Sequence, residues 1–277
     1  MKVSVIAPVR NEVDFIGYSV MSVLPHVHEI IYAVAPSSDD GTIDLLRFIQ
    51  SQYAKKKLRL ISKVEYDFKP SDEKAYNQSF NDLIAAATGN AVWFLHPDMV
   101  CTNPEAIPQI HKGPLAWFTS LTSYAGDLQT TMVGRATKWK NIIAREFGVH
   151  YAGKYGSQNE DFYFRDITGD AYHHYGENFT RYPYEVEDSG VCVNHYCEMK
   201  DHNSRLNKMK HCMKTLMPEA DKATIDGLAA VHPRVTLKDT SRQFGRFEFV
   251  KTTEPIPSVF TKYGDEFKSF KKEVVRV

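Results

Sequence analysis

The chain has 277 residues, and its hydrophobic content of 43% is typical of a globular protein that buries a sizeable core. Lysine plus arginine and aspartate plus glutamate number 34 each, so the formal net charge at pH 7 is zero. No global field therefore favours nucleic acid, a membrane surface or a polyanion, and any such partner would have to be bound by a local patch.

The length of the apolar runs and the number of cysteines indicate the cellular compartment of the protein. The first apolar run is about six residues long, too short for a signal-peptide core or a membrane span, and no later run approaches about eighteen. Four cysteines are too few for a disulfide scaffold in a chain of this length. We therefore expect a cytoplasmic protein with no membrane span and no export signal.

Zinc is the alternative use of a cluster of cysteines and histidines late in the chain. Its members are Cys192, His195, Cys197, His202, His211 and Cys212. The spacing from Cys192 to Cys197 is wider than that of the usual paired zinc ligands. Buried thiols and surface histidines are the favoured interpretation.

The first hundred residues alternate strand and helix patterns. Predicted strands cover residues 3–8, 29–34, 58–62 and 91–95, and predicted helices cover 12–24, 43–53 and 73–88. Apolar strands that are each followed by a helix predict an α/β fold whose mainly parallel sheet is covered on both faces. Ligands of such sheets bind at the carboxyl ends of the strands, here the loops 8–12, 35–42 and 96–99.

Beyond residue 100 the alternation weakens. Residues 115–124 and 128–134 are expected to form an antiparallel pair, and 150–190 is rich in polar and aromatic residues with little periodicity. From about 201 to 228 the pattern is helical again.

The segment HPD at 96–98 immediately follows the fourth predicted strand. His96 and Asp98 can present two ligands to a divalent cation, and such a cation would neutralise a departing nucleotide diphosphate. The alternative is that His96 caps the strand while Pro97 and Asp98 form a turn.

Three motifs carry a resemblance to a known family. The strand VSVIAP leads into PVRNE, the second strand leads into SSDDGT, and NDLIAAATGNAVWFLHPDM follows. In order and spacing over residues 3–99 these resemble family 2 glycosyltransferases. The resemblance implies a GT-A-like nucleotide-binding fold, with a mainly parallel central sheet flanked by helices and a loop-rich and helical C-terminal part. It also implies a divalent cation, Mn²⁺ or Mg²⁺, and a nucleotide-sugar donor, with a UDP-sugar as the first expectation.

The resemblance assigns the metal ligands. The family's last metal-binding aspartate falls on Asp98, whereas its first is replaced by His96, and imidazole suits Mn²⁺ better than Mg²⁺. His195 resembles the histidine that completes the metal site at the end of a late strand. A structural histidine is the alternative.

Candidate donor contacts come from the family's loop motifs and from the placement of polar side chains along the crevice. They are Pro8, Arg10, Asn11, Glu12, Asp39, Asp40, Lys74, Asn81 and His96. Ala35 and Pro36 stand where the family commonly has an acidic residue, so a uridine preference does not carry over directly. The turn at 37–42 is equally well interpreted as a loop and helix cap.

An inverting transfer needs a carboxylate that takes the acceptor proton. Glu160 and Asp161 resemble the family's Glu-Asp pair, which implies Asp161 as the base, and Glu187 with Asp188 is the second candidate pair. Aromatic and histidine side chains of the 172–184 region could form an acceptor platform.

The expected organisation is a nucleotide-sugar-binding half at 1–100, an acceptor-binding and catalytic half at 101–200, and a helical extension at 201–277. The acceptor stays open among a glycan, a lipid carrier, a protein and a modified nucleobase. Two other functions compete with glycosyl transfer. A nucleotidyltransferase would need a glycine-rich first loop, which APVRNE lacks, and an inactive nucleotide-sugar binder would explain His96 and Ala35.

Overall fold

The computed structural model describes residues 1–67, 73–114, 116–125, 127–133, 138–145, 149–151, 162–165, 171–174, 186–198, 221–224 and 248–274. The strands are β1 (Val3–Val9), β2 (Glu29–Val34), β3 (Leu58–Ile61), β4 (Ala91–Phe94), β5 (Met99–Cys101), β6 (Ala116–Ala125), β7 (Thr130–Val133), β8 (Lys138–Ala144), β9 (Val149–Tyr151), β10 (Phe162–Arg165), β11 (Ala171–His174), β12 (Val186–Glu198) and β13 (Glu248–Lys251). The helices are α1 (Ile16–Val23), α2 (Thr42–Gln52), α3 (Glu73–Ala86) and α4 (Ser258–Val274), with short 3-10 turns at Val64–Tyr66 and Pro104–Gln109.

A large mixed sheet organises the molecule. Its order is β13-β7-β6-β8-β4-β1-β2-β3, and β12 joins it by pairing with both β5 and β6. Strands β1 to β4 are mutually parallel, whereas β8 runs antiparallel between β4 and β6. Strands β9 to β11 form a separate antiparallel sheet. The predicted α/β class and mainly parallel first half are confirmed.

Both faces of this sheet are buried, because its strands are apolar on successive residues. In β1, Val5 belongs to the cluster on one face and Ile6 to the cluster on the other. Helix α3 covers the second face with Phe80 and Leu83, which lie on one stripe of the helix. The apolar strands and the helices between them therefore build one sheet that is covered on both faces.

The first helix begins later than expected. The sequence pattern predicts a helix over 12–24, but α1 starts at Ile16. The backbone N–H of Glu12 donates to Thr42 Oγ1 at 2.8 Å, and that of Val13 donates to Asp40 Oδ2 at 3.0 Å. Phe15 has a φ of −125°, outside the helical region, so residues 12–15 form a turn that Asp40 and the first residue of α2, Thr42, hold from outside.

The strand and the long helix described in the last 77 residues pack on earlier elements of the chain. Strand β13 pairs antiparallel with β7, and α4 packs against α1 and α2. Gly17 makes this packing possible, because a Cβ there would lie 2.8 Å from the ring of Phe267. The predicted helix at 201–228 falls almost wholly outside the described residues. None of the helices in the described ranges is long and apolar enough to cross a membrane.

Glu29 joins β1, β3 and α3 at the amino edge of the sheet. Its side chain is only 7% exposed. Its Oε1 accepts from Ser4 Oγ at 2.8 Å and from the Thr88 backbone N–H at 2.6 Å, and its Oε2 accepts from Arg59 at 3.1 Å. Burial alone would raise the pKa of Glu29, but these hydrogen bonds together lower it below its usual value of 4.5.

Glu29→Gln should destabilise the fold at neutral pH by about 2 kcal/mol, because it weakens a buried charge-assisted network. The native carboxylate's contribution is present above the unfolded pKa and is lost as the pH falls through the lower folded pKa. The difference between wild type and variant in urea unfolding should therefore shrink below about pH 4.5. The exposed Glu65→Gln is the matched control, and an equal loss in both variants would contradict the assignment.

Candidate active site

The candidate site lies where the carboxyl ends of four strands meet. Strands β1, β2 and β4 are parallel, so the loops after them share one edge of the sheet. Because β8 is antiparallel to both β4 and β6, and β12 is parallel to β6, β12 runs in the same direction as β4. The end of β12 therefore reaches the edge that carries the HPD segment.

Asp98 and His195 meet at this edge. The distance from His195 Nε2 to Asp98 Oδ1 is 3.4 Å, and the side chains are 12% and 3% exposed. The backbone is held as well, since the Tyr196 N–H donates to the Asp98 carbonyl at 2.9 Å. Two residues that the sequence places 97 positions apart are thus in contact.

The HPD segment is also a turn. The Met99 N–H donates to the His96 carbonyl at 3.0 Å, which places Pro97 and Asp98 at the centre of a four-residue turn. Ser19 Oγ on α1 donates to the same carbonyl at 3.4 Å. The turn expected as an alternative and the approach of Asp98 to His195 therefore exist together. His96 itself is half-buried beside the pair.

The spacing of this pair fits one divalent cation. Two adjacent ligands about 2.1 Å from an octahedral ion lie about 3.0 Å apart, a few tenths of an ångström less than the distance here. Among the residues that the structure describes, no group of three or more histidine, cysteine, aspartate and glutamate side chains could hold a metal ion. A cation on this pair would take its other ligands from phosphate oxygens and water, as Mg²⁺ commonly does.

Asn11 and Asp39 join the loops after β1 and β2. The Asn11 side-chain amide donates to Asp39 Oδ1 at 2.9 Å, and the Asp39 backbone N–H donates to Asn11 Oδ1 at 3.1 Å. Asn11 has a φ of 53°, a left-handed conformation that asparagine tolerates better than most residues. These predicted donor contacts are therefore neighbours that fix the mouth of the crevice.

Asp40 has a structural partner for each carboxylate oxygen. Its Oδ1 accepts from the Thr42 N–H at 2.9 Å and from Thr42 Oγ1 at 2.5 Å, and its Oδ2 accepts from the Val13 N–H. Gly41 follows with a φ of 92°, which favours glycine. For Asp40 the geometry supports the loop and helix-cap interpretation.

Of the other predicted donor contacts, Pro8, Arg10, Glu12 and Lys74 lie around the same edge, whereas Asn81 does not. Arg10 and Lys74 are exposed, whereas Pro8 and Glu12 are half-buried. Asn81 lies seven residues after Lys74 on α3, about 10 Å further from the carboxyl edge, and its amide donates to the Asn77 carbonyl at 3.0 Å.

The two pairs of carboxylates proposed as the general base have different outcomes. Glu160 and Asp161 lie outside the described residues and directly precede β10. Glu187 and Asp188 lie at the start of β12, and Glu187 Oε2 is 2.8 Å from His111 Nε2. Glu187 pairs with Trp117 and His195 pairs with Ser123, six positions along β6, so the two are about 20 Å apart. Glu187 and Asp188 are too distant to act beside Asp98.

Other predicted features are placed only in part. Within the described part of the chain, Cys101 and Cys192 carry free thiols. Desolvation raises the pKa of Cys192, which disfavours the thiolate that zinc binds. Side chains of Cys197, Cys212, His202 and His211, and those of the 172–184 region, lie outside the described residues.

A cavity of about 330 Å³ lies at the opposite edge of the sheet. It is lined by Met1, Gly89, Asn90, Lys112, Gly113, Trp117, Ala144 and Arg145. Gly89 and Asn90 precede β4, whereas Asp98 follows it. This cavity is therefore separate from the candidate site.

Two side chains next to the site carried no sequence signal. Ser19 appears only as a polar position within a helix pattern, and Tyr196 only as an aromatic residue in a strand. Their contacts with the HPD turn depend on tertiary structure.

The strand order and the loops that meet at the carboxyl edge define an α/β protein with a candidate ligand site at the ends of its parallel strands. The model of the family described as Glycosyl transferase family 2 matches residues 4–152. The chain belongs to this family, which confirms the resemblance and identifies a glycosyltransferase.

Solved structures similar to the chain include two of TarS from S. aureus. TarS 1–349 is 12% identical, with 89% of this chain and 79% of that chain covered and a TM-score of 0.40. A longer TarS chain is 14% identical, with a TM-score of 0.41, and this chain spans 44% of its length and is itself covered over 88%. Glucosyl-3-phosphoglycerate synthase from Mycobacterium tuberculosis, in complex with Mn²⁺, UDP and phosphoglyceric acid, is 16% identical, with 80% of each chain covered and a TM-score of 0.40. Among curated proteins, none matches the chain.

Asp40→Ala should lower the free energy of unfolding by about 1–2 kcal/mol, because it removes the cap before α2 and the acceptor for Val13. Asp44→Ala, in the first turn of the same helix, is the control, since Asp44 is exposed and its Arg47 partner is 4.0 Å away. Chemical denaturation of both variants gives the comparison. Equal stability of the two variants would show that the Asp40 network contributes nothing.

Proposed function

We propose that the chain is an inverting, metal-dependent glycosyltransferase that moves a hexosyl or pentosyl group from a nucleotide diphosphate sugar, with UDP-sugars first, to an acceptor hydroxyl. The observation that carries this proposal is the buried Asp98–His195 pair at the carboxyl edge of the sheet. A buried carboxylate against an imidazole at a ligand-binding edge suits a divalent cation.

Asp98 and His195 would hold the cation, with His96 beside them in place of the family's first acid. When bound, the cation neutralises the negative charge that develops on the departing diphosphate. Both side chains are almost fully buried, so the pair is held in place before donor binds.

The loops after β1 and β2 would bind the donor. The reciprocal bonds between Asn11 and Asp39 fix their separation. Exposed Arg10 extends from the first loop, and Lys74 lies in the first turn of α3 at the same edge. Either side chain can bind phosphates, and the planar guanidinium of Arg10 can also stack on a base.

Asp161, with Glu160 beside it, would take the proton from the acceptor hydroxyl. Its assignment depends on the family resemblance of the segment before β10. It is also supported by the placement of the competing pair Glu187 and Asp188 about 20 Å from His195.

Asp98→Ala should abolish cation-dependent donor binding. In wild type, a UDP-sugar with Mn²⁺ at about one hundred times its Kd should add about 2.7 kcal/mol of stability in a thermal-shift assay. Asp98→Ala should show no such gain, and Asp188→Asn, at the far end of β12, should behave as wild type. A wild-type protein indifferent to a full panel of nucleotide sugars with Mn²⁺ or Mg²⁺ would refute the proposal.

Asp161→Asn should bind donor with unchanged affinity but lose turnover by about 10²–10⁴-fold, because a general base contributes that much to rate. Turnover is measured as the nucleotide diphosphate released when the sugar is transferred to water or to an acceptor from a panel of glycans, lipid carriers, proteins and modified nucleobases. Asp188→Asn is again the control. Full turnover in Asp161→Asn would remove Asp161 as the base.

An inactive nucleotide-sugar binder is the second candidate, and His96 in place of the first metal-binding acid favours it. Such a protein would show the thermal shift with donor but no release of nucleotide diphosphate with any acceptor. The turnover assay therefore separates the two functions.

A further inference from the structure

We infer that Phe260 on α4 is a positioning residue for the Asp98–His195 pair, acting through Tyr196. The role of that pair in holding a cation rests on the proposed function. The positioning itself rests on the packing of the described residues and can be tested with or without a metal.

An aromatic cluster surrounds Tyr196, which is fully buried. The Phe15 ring stacks on the Tyr196 ring with centroids 5.3 Å apart and an interplanar angle of 9°. Phe260 packs its edge against Tyr196 at 5.3 Å and 87°, and also against Phe15 at 6.3 Å and 80°. Tyr124 packs against Tyr196 at 5.1 Å. Edge and stacked geometries of this kind are favourable beyond simple area burial.

The Tyr196 backbone connects this cluster to the site. Its N–H donates to the Asp98 carbonyl at 2.9 Å, and the preceding residue is His195. Successive side chains of a strand point to opposite faces, so the Tyr196 ring anchors one face of β12 while His195 meets Asp98 on the other. A shift of the ring therefore moves both members of the pair.

Helix α4 also holds the loop on the donor side. Lys271 forms an ion pair with Asp14, which precedes Phe15 and follows the predicted donor contact Glu12 by two residues. Lys271 thus contacts Asp14, and Phe260 contacts both the adjacent Phe15 and Tyr196 of β12. The C-terminal helix joins the donor loop to the strand that carries His195.

Phe270 provides a matched comparison within the same helix. Like Phe260, it is a partly buried phenylalanine that packs against the main core cluster. Its ring partner is Phe48 of α2, with centroids 5.1 Å apart, and not Tyr196. Truncating either ring loosens the docking of α4, but only Phe260 contacts the cluster around Tyr196.

The test compares Phe260→Ala with Phe270→Ala. Both should lower the melting temperature. Phe260→Ala should also weaken Mn²⁺ binding about tenfold, as loss of groups behind metal ligands commonly does, whereas Phe270→Ala should change it less than about twofold. Phe260→Tyr, which keeps the ring, should restore affinity to within about twofold of wild type. Equal Mn²⁺ affinities in the two alanine variants would overturn the inference.

A second measurement decides the inference without metal. The imidazole ¹³C–¹H signal of His195, assigned with His195→Gln, should shift in Phe260→Ala and stay unchanged in Phe270→Ala. An identical His195 signal in both variants would overturn the positioning role. If wild type binds no Mn²⁺ the proposed function fails, yet the imidazole signal still tests Phe260. Phe260→Leu, which keeps most of the volume but not the ring edge, replaces the alanine variant if that variant does not fold.

Discussion

The direction of one antiparallel strand decides where the chemistry of this molecule can lie. Strand β8 runs between β4 and β6 and reverses direction relative to both, so β6 and its neighbour β12 run with β4. If β12 ran the other way, His195 would lie at the amino edge and Glu187 would face Asp98. The hydrogen bond from Tyr196 to the Asp98 carbonyl fixes the two strand ends at contact distance.

The first half of the fold was predictable because its signals are local. The run EIIYAV predicts strand 29–34, and β2 has those bounds, since every one of its residues is buried. Gly89 marks the end of the helix pattern close to the end of α3 at Ala86. The start of α1 was predicted wrongly: residues 12–15 form a turn, with Phe15 at a φ of −125°, and this turn is bound to Asp40 and Thr42, about thirty residues away. Nothing local to residues 12–15 contains that information.

The site was predictable in part for the same reason. The end of a predicted strand pointed to Asp98, whereas His195 was predicted from its resemblance to the family's late histidine. No local pattern separates Asp40 as a structural carboxylate from Asp39, because the difference lies in which backbone amides each one contacts. The choice between the two carboxylate pairs as the general base likewise depends on strand register. Glu187 lies eight residues from His195 along the chain, and only the pairing with β6 converts that separation into a distance.

One carboxylate with imidazole nitrogens would leave the proposed cation only partly neutralised. A divalent ion on Asp98 and His195 keeps a net positive charge of about one, whereas a two-carboxylate set would neutralise it. With one carboxylate fewer, the site binds the free ion less tightly. The residual positive charge strengthens the attraction of the bound ion for a diphosphate. Because the pair is buried, that attraction is little screened by salt. Within the proposed function, cation and donor therefore bind together, each raising the affinity for the other by the same factor.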